Sequence, residues 1–451
     1  MLWAHCRLTM NDVLASLLLG SITADNLVVF CGAGLSMAPP SAVPSARQLA
    51  VDCFPKYQQA IGAVLADNLR ENLEAQCKFA LSRGELEKLF LDKLVVWRPF
   101  VRNPNKGHKT IADFLATRAL RFSITTNFDT LVEQAAEDLG EDLFEAALDA
   151  AEAGVARPHQ TYLKIHGCAK RDRKNTLWCK EQIIPGSDLE RRIGSFKTWL
   201  QANLLRKDLV LIGFWSDWDY LNKIFEDCIT GLEARLVVLV DPLPTPMLQT
   251  KAPTLWAWAN DGRHQFHHAQ ESGAEFLDEL RRRFSLQFLE AVIESAKGTY
   301  AALTGKDYVR PHTFDSTLPA DDLYSFRRDI EGVPASRIAR ERKPTPQMQT
   351  VGSIHMRLIE AGAVFAGPRY VLNSKRIRVL QGAGQVLSLV KKQFDPEDSP
   401  LGDDIVICVG ARDDGGVPVS VVRGTSSPPL IHTTSTANWI NDERAIVELG
   451  I

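Results

Sequence analysis

The chain has 451 residues, 45% of them hydrophobic and 24% charged, the balance of an ordinary globular protein with room for two or three domains. A net charge of -3 gives no overall pull toward nucleic acid or an anionic membrane, so only local basic patches need weighing. No stretch approaches the roughly 20 uninterrupted apolar residues of a membrane span, and a cytoplasmic location is expected. The eight cysteines (Cys6, Cys31, Cys53, Cys77, Cys168, Cys179, Cys228 and Cys408) form no C-x-x-C pair. Neither a disulfide framework nor a zinc ribbon is indicated, and reduced core thiols are expected.

In the opening MLWAHCRLTMNDVLASLLLGSITADN, Asp12 and Asp25 flank the apolar part from Val13 to Leu19, and Arg7 is the only firmly basic residue before it. That pattern predicts an amphipathic first helix and not a signal peptide. Next comes LVVFCGAGLS, Leu27 to Ser36, a short run that reads as a buried strand ending in two glycines. Two readings stand side by side. Glycines before a helix let the backbone approach a dinucleotide phosphate, and they equally serve a tight turn after a core strand. The full dinucleotide fingerprint needs three spaced glycines, and two are present. From Val43 to Val101, apolar residues at helical spacing in LRENLEAQCKFAL and GELEKLFLDKLV predict a helical insertion.

Other short apolar runs that end in polar or glycine residues are strand candidates as well. They are LRFSIT before Thr126, YLKI before His166, LVLIG around Leu209 to Gly213, and LVVLV before Asp241. Helical patterns at Thr130 to Leu139, Leu189 to Leu205 and Tyr220 to Thr230 separate them. Apolar strands alternating with helices predict an α/β fold, a doubly wound parallel sheet whose ligands bind beyond the carboxyl ends of the strands. The unusual residues lie at those ends. Asn127 and Asp129 can face the crevice, or Asp129 can simply cap a helix. His166 suits a general base near neutral pH, although a lone histidine is more often packed or solvated. Gly213 with Ser216 makes a second glycine turn.

The amphipathic run FLDELRRRFSLQFLEAVIESA predicts a helix closing a first domain at 1–297. The proline-bearing, basic stretch VPASRIARERKPTPQMQT predicts a linker or arm over 298–350. The remainder, 351–451, with DIVICVG and VPVSVV as short strands, predicts a smaller C-terminal α+β domain for regulation or assembly. Its basic run NSKRIR, like SRIARERK before it, is open to nucleic-acid contact or to being a solvated face. A second Gly382-Ala383-Gly384 reads as a turn.

Together these motifs resemble a family. GAGLS, PNKGH, TTNFD, KIHG and GFWSD follow the order of the sirtuin motifs GAGxS, PxxxH, TQNxD, HG and GTS, over roughly Val28 to Phe284. The resemblance implies a Rossmann-like domain that binds NAD as substrate and breaks its nicotinamide–ribose bond. It implies that Gly32, Ala33, Gly34 and Ser36 hold phosphates and ribose, with Thr126, Gly213 and Ser216 beside them. Asn127 and Asp129 would order the nicotinamide ribose and a water, His166 would be the base, and Asp241 would meet the adenosine ribose. The sequence also departs from the deacetylases. CAKRDRKNTLWC replaces the zinc module's two C-x-x-C pairs, and two cysteines do not complete a tetrahedral site, so no zinc is expected. In this the chain is similar to the zinc-free, NAD-hydrolysing sirtuin-like effectors of bacterial anti-phage defence. That likeness implies self-association or a partner protein such as an ATPase or short Argonaute. A protein deacylase and a non-catalytic NAD or ADP-ribose sensor are the alternatives.

Overall fold

The computed structural model describes residues 10–155, 160–215, 234–310, 314–398, 402–413 and 435–451. The helix expected at 220–230, the strand VPVSVV and Ser216 lie outside them. The chain divides into two compact units, one of Met1–Asp138 with Asp142–Glu279, the other of Leu139–Glu141 with Leu280–Ile451.

The first unit is a six-stranded, wholly parallel sheet. Its strands are β1 (Leu27–Cys31), β2 (Phe122–Thr125), β3 (Tyr162–Lys164), β4 (Asp208–Ile212), β5 (Leu236–Val240) and β6 (Gln265–Ala269), in the order β3-β2-β1-β4-β5-β6. Cys31 ends β1 opposite both Thr125 of β2 and Ile212 of β4, so three strand ends lie level. The strand order reverses between β1 and β4, and in such sheets that crevice is where ligands bind. Strands β1, β4 and β5 are buried along their whole length, which is why they read as unbroken apolar runs. Strand β6, QFHHA, is an edge strand with one buried residue, and no apolar run announces it.

The first helix, Asp12–Thr23, starts at Asn11, whose side chain caps the Leu14 amide at 2.8 Å. The insertion after β1 is helical: Ala46–Ile61, Leu73–Ser82 and a π-helical stretch Leu86–Leu94. It builds a core around Phe54, Tyr57, Cys77 and Phe90 that Leu131, Ala169, Trp178 and Cys179 also join.

In the second unit a five-stranded sheet runs in the order β11-β10-β9-β8-β7. Its strands are β7 (Val364–Phe365), β8 (Tyr370–Leu372), β9 (Lys375–Gln381), β10 (Ile405–Val409) and β11 (Asn438–Asn441), with β9 to β11 parallel and β7 to β9 antiparallel. The segment 298–350, expected as a linker, instead carries the helix Ala320–Glu331 and the start of another, Pro346–Glu360. Their Leu323, Phe326, Val351 and Ile354 are buried in the core that β9 shares. The apolar spacing was masked by charge, because Arg327 and Asp329 of that helix are themselves buried. The unit boundary falls inside the helix Gly273–Thr304, between Glu279 and Leu280, and not at Lys297.

In NSKRIR, Asn373, Ser374 and Lys375 are exposed, whereas its last arginine is not a surface charge. Arg378 lies inside β9, 2% exposed, with Asp329 at 2.5 Å and Glu397 at 3.2 Å. The second Gly-Ala-Gly is a turn, and it repeats the first. Gly32 and Gly34 donate to the carbonyls of Ile212 (2.8 Å) and Gly213 (3.1 Å), while Gly382 and Gly384 donate to those of Val409 (2.7 Å) and Gly410 (3.1 Å). Among the described residues no helix is long and apolar enough to cross a membrane.

Candidate functional site

The turn after β1 is shaped by its neighbour. A Cβ on Gly32 would come within 2.5 Å of the Gly213 carbonyl oxygen, and one on Gly34 within 2.6 Å of the Gly213 Cα. Gly213 itself has φ +59, and a Cβ there would meet the Leu35 amide nitrogen at 2.5 Å. The glycines therefore let the β1 and β4 turns interlock at the switch point. The helix that follows, Ala33–Ser36, is a single turn, with Ala33 and Gly34 exposed and Ser36 buried.

Ser36 is the hub of a hydrogen-bonded network. Its Oγ donates to Asp129 Oδ2 at 2.8 Å and accepts from Asn127 Nδ2 at 3.1 Å. His108 Nε2 lies 3.1 Å from the same Oγ. Because His108 Nδ1 accepts from the Asn105 amide at 3.1 Å, the ring proton belongs on Nε2, which donates to Ser36. Asn127 Nδ2 also reaches the Gly32 carbonyl oxygen at 3.1 Å, and the Leu131 amide caps Asp129 Oδ1 at 3.3 Å. Ser36, His108 and Asp129 are 1%, 1% and 3% exposed. Four polar side chains are thus gathered where β1 and β2 end, with all of the hydroxyl's bonding capacity used.

Burial sets the charges. It pushes the His108 pKa down to about 3, with the positive charge of Lys164 adding to the effect, so the ring is neutral. It pushes the Asp129 carboxyl up, against the opposing pull of Lys164, Ser36, the Leu131 amide and Asn127, and the net result stays above the usual carboxylate range.

His166 stands just past β3, 4% exposed, and makes a backbone hydrogen bond with Thr126, which joins the KIHG and TTNFD turns. Burial, helped by Arg192, lowers its pKa to about 3 against that bond's opposing pull. Against the expectation of a base titrating near neutral pH, burial holds His166 as a neutral imidazole. Arg192 belongs to a cavity of about 420 Å³, also lined by Asp149, Asp172, Asn175 and Asp188, none of them motif residues.

Asp241 ends β5 but does not join the network. Its carboxylate accepts from the Leu243 amide at 2.9 Å and pairs with Lys251 at 3.0 Å. Gly213 is placed at the switch point, whereas its expected companion Ser216 is outside the described residues. Conversely, His108 and Asn105 were assigned no role from sequence. Their signal was PNKGH itself: Asn105 caps the helix Lys106–Ala116 and holds the Leu35 carbonyl oxygen at 2.8 Å, which aims His108 at Ser36.

The Cys168–Cys179 segment, from which no zinc site is expected, packs on aromatic rings. Trp178 lies 4.6 Å from Phe128 and 5.8 Å from Trp97, and the Ala169 amide donates to the Phe128 carbonyl at 2.7 Å. Cys168 and Cys179 are both buried. Among the described residues no group of three or more His, Cys, Asp or Glu side chains is placed to hold a metal ion.

The strand order and the switch-point turn define a doubly wound, Rossmann-like domain. The family model described as a SIR2-like domain matches residues 121–261, which contain TTNFD, KIHG and GFWSD. Solved structures similar to the chain include a Sir2 homologue–NAD complex, at 18% identity and a TM-score of 0.34, covering 60% of this chain and 93% of that one. Another is a Sir2 homologue variant bound to ADP-ribose, at 17% identity and a TM-score of 0.33, covering 61% and 96%. Likenesses of this strength add nothing to what the strand order defines. No curated protein matches the chain.

Proposed function

We propose that the first unit binds NAD and hydrolyses its nicotinamide–ribose bond, giving nicotinamide and ADP-ribose. One observation carries this: the buried Ser36–His108–Asn127–Asp129 network at the switch point. Burying a carboxylate and an imidazole is costly, and groups so perturbed in a ligand-binding crevice are candidates for chemistry. The match of residues 121–261 to a SIR2-like domain supports the same reading.

In this reaction the C1′–N bond breaks and the electron pair leaves with neutral nicotinamide. A water oxygen bonds to C1′ and gives up a proton. Asp129 faces the positive charge that develops on the ribose, and Asn127 fixes the ribose and the water. The neutral His166 accepts the proton. Water as the acceptor, in place of acyl-lysine, is supported by the Cys168–Cys179 segment, whose two cysteines stand without C-x-x-C partners and are buried beside aromatic rings. The chain is expected to hold no stoichiometric zinc, and elemental analysis near one zinc per chain would contradict that expectation and favour the deacylase reading.

On this reading the activity is an NAD-depleting one suited to antiviral defence, silent until self-assembly or a partner protein engages the second unit. The test is to incubate the full chain with NAD, with and without an acyl-lysine peptide. Equal amounts of nicotinamide and free ADP-ribose, unaffected by peptide, are expected. Cleavage that requires the peptide and yields acyl-ADP-ribose would overturn hydrolysis in favour of deacylation.

A further inference from the structure

We propose that Lys164 is a positioning residue for this reaction, its ammonium bracing the Asn127–Asp129 turn from beneath by holding the main-chain oxygen of Asp129. The proposal rests on the reading of the site as an NAD-cleaving centre. Lys164 ends β3, and its side chain is 0% exposed. Its neighbours Leu163 and Ile165 join the apolar cluster with Phe122 and Ile124, so strand alternation sends the lysine to the other side of the sheet. There its Nζ donates to the main-chain oxygen of Asp129 and to Glu133 Oε1 at 2.5 Å, with Cys168 Sγ at 3.8 Å. The Tyr162 ring centroid lies 5.8 Å away.

A buried ammonium is expensive, and a strand needing only to fill that space would use an apolar side chain. Lys164 instead contacts the backbone of the residue whose charge the reaction uses. Burial pushes the amine's pKa down, but Glu133, Cys168 and Asp129 together outweigh it, so the group stays protonated. The same cation is the foremost influence holding the Asp129 carboxyl down and the second keeping His108 neutral. Above it, the Ser36 hydroxyl accepts from His108 and donates to Asp129. The titratable groups around Lys164 and Asp129 are Glu133, Cys168, His108, Tyr162 and Cys31.

The test is carbon-13 NMR of aspartate-labelled full chain, with the Asp129 carboxyl assigned by its loss in Asp129→Asn. The comparison is the parent, Lys164→Arg, Glu133→Gln, and the paired Glu133→Gln/Lys164→Met variant, which leaves no orphaned charge. Measured against Glu133→Gln alone, from which it differs only by the charge of Lys164, the paired variant should have its Asp129 midpoint moved upward by at least about one pH unit, as removal of a close opposite charge does. The acid limb of kcat/KM should move with it, and Lys164→Arg should stay near the parent. An unmoved midpoint in the folded paired variant overturns the proposal. So does nitrogen-15 NMR of the parent showing a neutral Lys164 amine at pH 8, a readout that needs no variant to fold. A parent that cleaves no NAD overturns the reaction, and the midpoint comparison still decides the role of Lys164.

Discussion

Ser36 and Asp129, 93 residues apart in sequence, meet through a 2.8 Å hydrogen bond from hydroxyl to carboxylate, both side chains buried. Ser36→Ala removes this bond along with the partner of His108 and one of the two bonds of Asn127. Leaving a buried carboxylate oxygen without its donor costs about 1–3 kcal/mol. Chemical denaturation should show that loss, with NAD turnover reduced well beyond it. Unchanged stability and turnover would mean that the hydroxyl is incidental.

Two of the buried imidazoles, His108 and His166, make the fold acid-sensitive. Both are neutral when folded, with pKa values lowered to about 3, whereas an unfolded histidine titrates near ~6.5. Their contribution is therefore complete above the unfolded value and is lost as pH falls below it toward the folded one. Each should cost about 1.4 kcal/mol per pH unit below that point. Thermal melts from pH 7 to pH 4.5 are expected to fall steeply, and His166→Gln should flatten the fall. A parallel fall in parent and variant would show that His166 is already charged in the fold.

Gly213→Ala should be strongly destabilising, because the backbone has φ +59 and the new Cβ would sit 2.5 Å from the Leu35 nitrogen. Gly298→Ala makes the contrast. That glycine lies in the helix Gly273–Thr304 with nothing within 4 Å of a Cβ, so alanine should stabilise by about 0.5–1 kcal/mol. Melting both variants beside the parent checks the pair, and similar shifts would contradict the interlocked-turn geometry.

In the second unit, Asp329 accepts from Arg378 in a fully buried pair, with Arg369 at 3.6 Å. Burial pushes the Asp329 carboxyl up, but Arg378, Arg369 and Arg328 outweigh it and hold it below its ordinary value. That stability is present above the unfolded carboxylate pKa and is lost as pH falls through the folded one. Asp329→Ala strands buried guanidinium groups and should cost about 3–5 kcal/mol at neutral pH. A loss under about 1 kcal/mol in urea titration would show that the pair is hydrated.

What the sequence could show followed from burial pattern. Strands β1, β4 and β5 are covered on both faces, so they stand out as apolar runs, and the motif residues sit at strand ends where the fold requires them. Edge strand β6 escaped because its side chains are mostly half-exposed. PNKGH marked His108 without showing its role, and Lys164 escaped altogether, because both roles depend on meeting Ser36 and Asp129 across the fold. The helix Ala320–Glu331 read as an arm because its buried Arg327 and Asp329 look, in sequence, like surface charges.

The central claim is that the buried network is an NAD-cleaving site, and Asn127→Ala tests it most directly. Asn127 touches both Ser36 and the Gly32 carbonyl, while the interlocked glycine turns stay intact without it. The measurement is nicotinamide released from NAD by parent and variant side by side, with candidate triggers present, and NAD binding by calorimetry on both. The expected result is release by the parent, loss of at least about 10²-fold in the variant, the scale of a positioned catalytic group, and binding largely kept. Equal release by the two folded proteins, or none by a parent that binds no NAD under any trigger, would contradict the account.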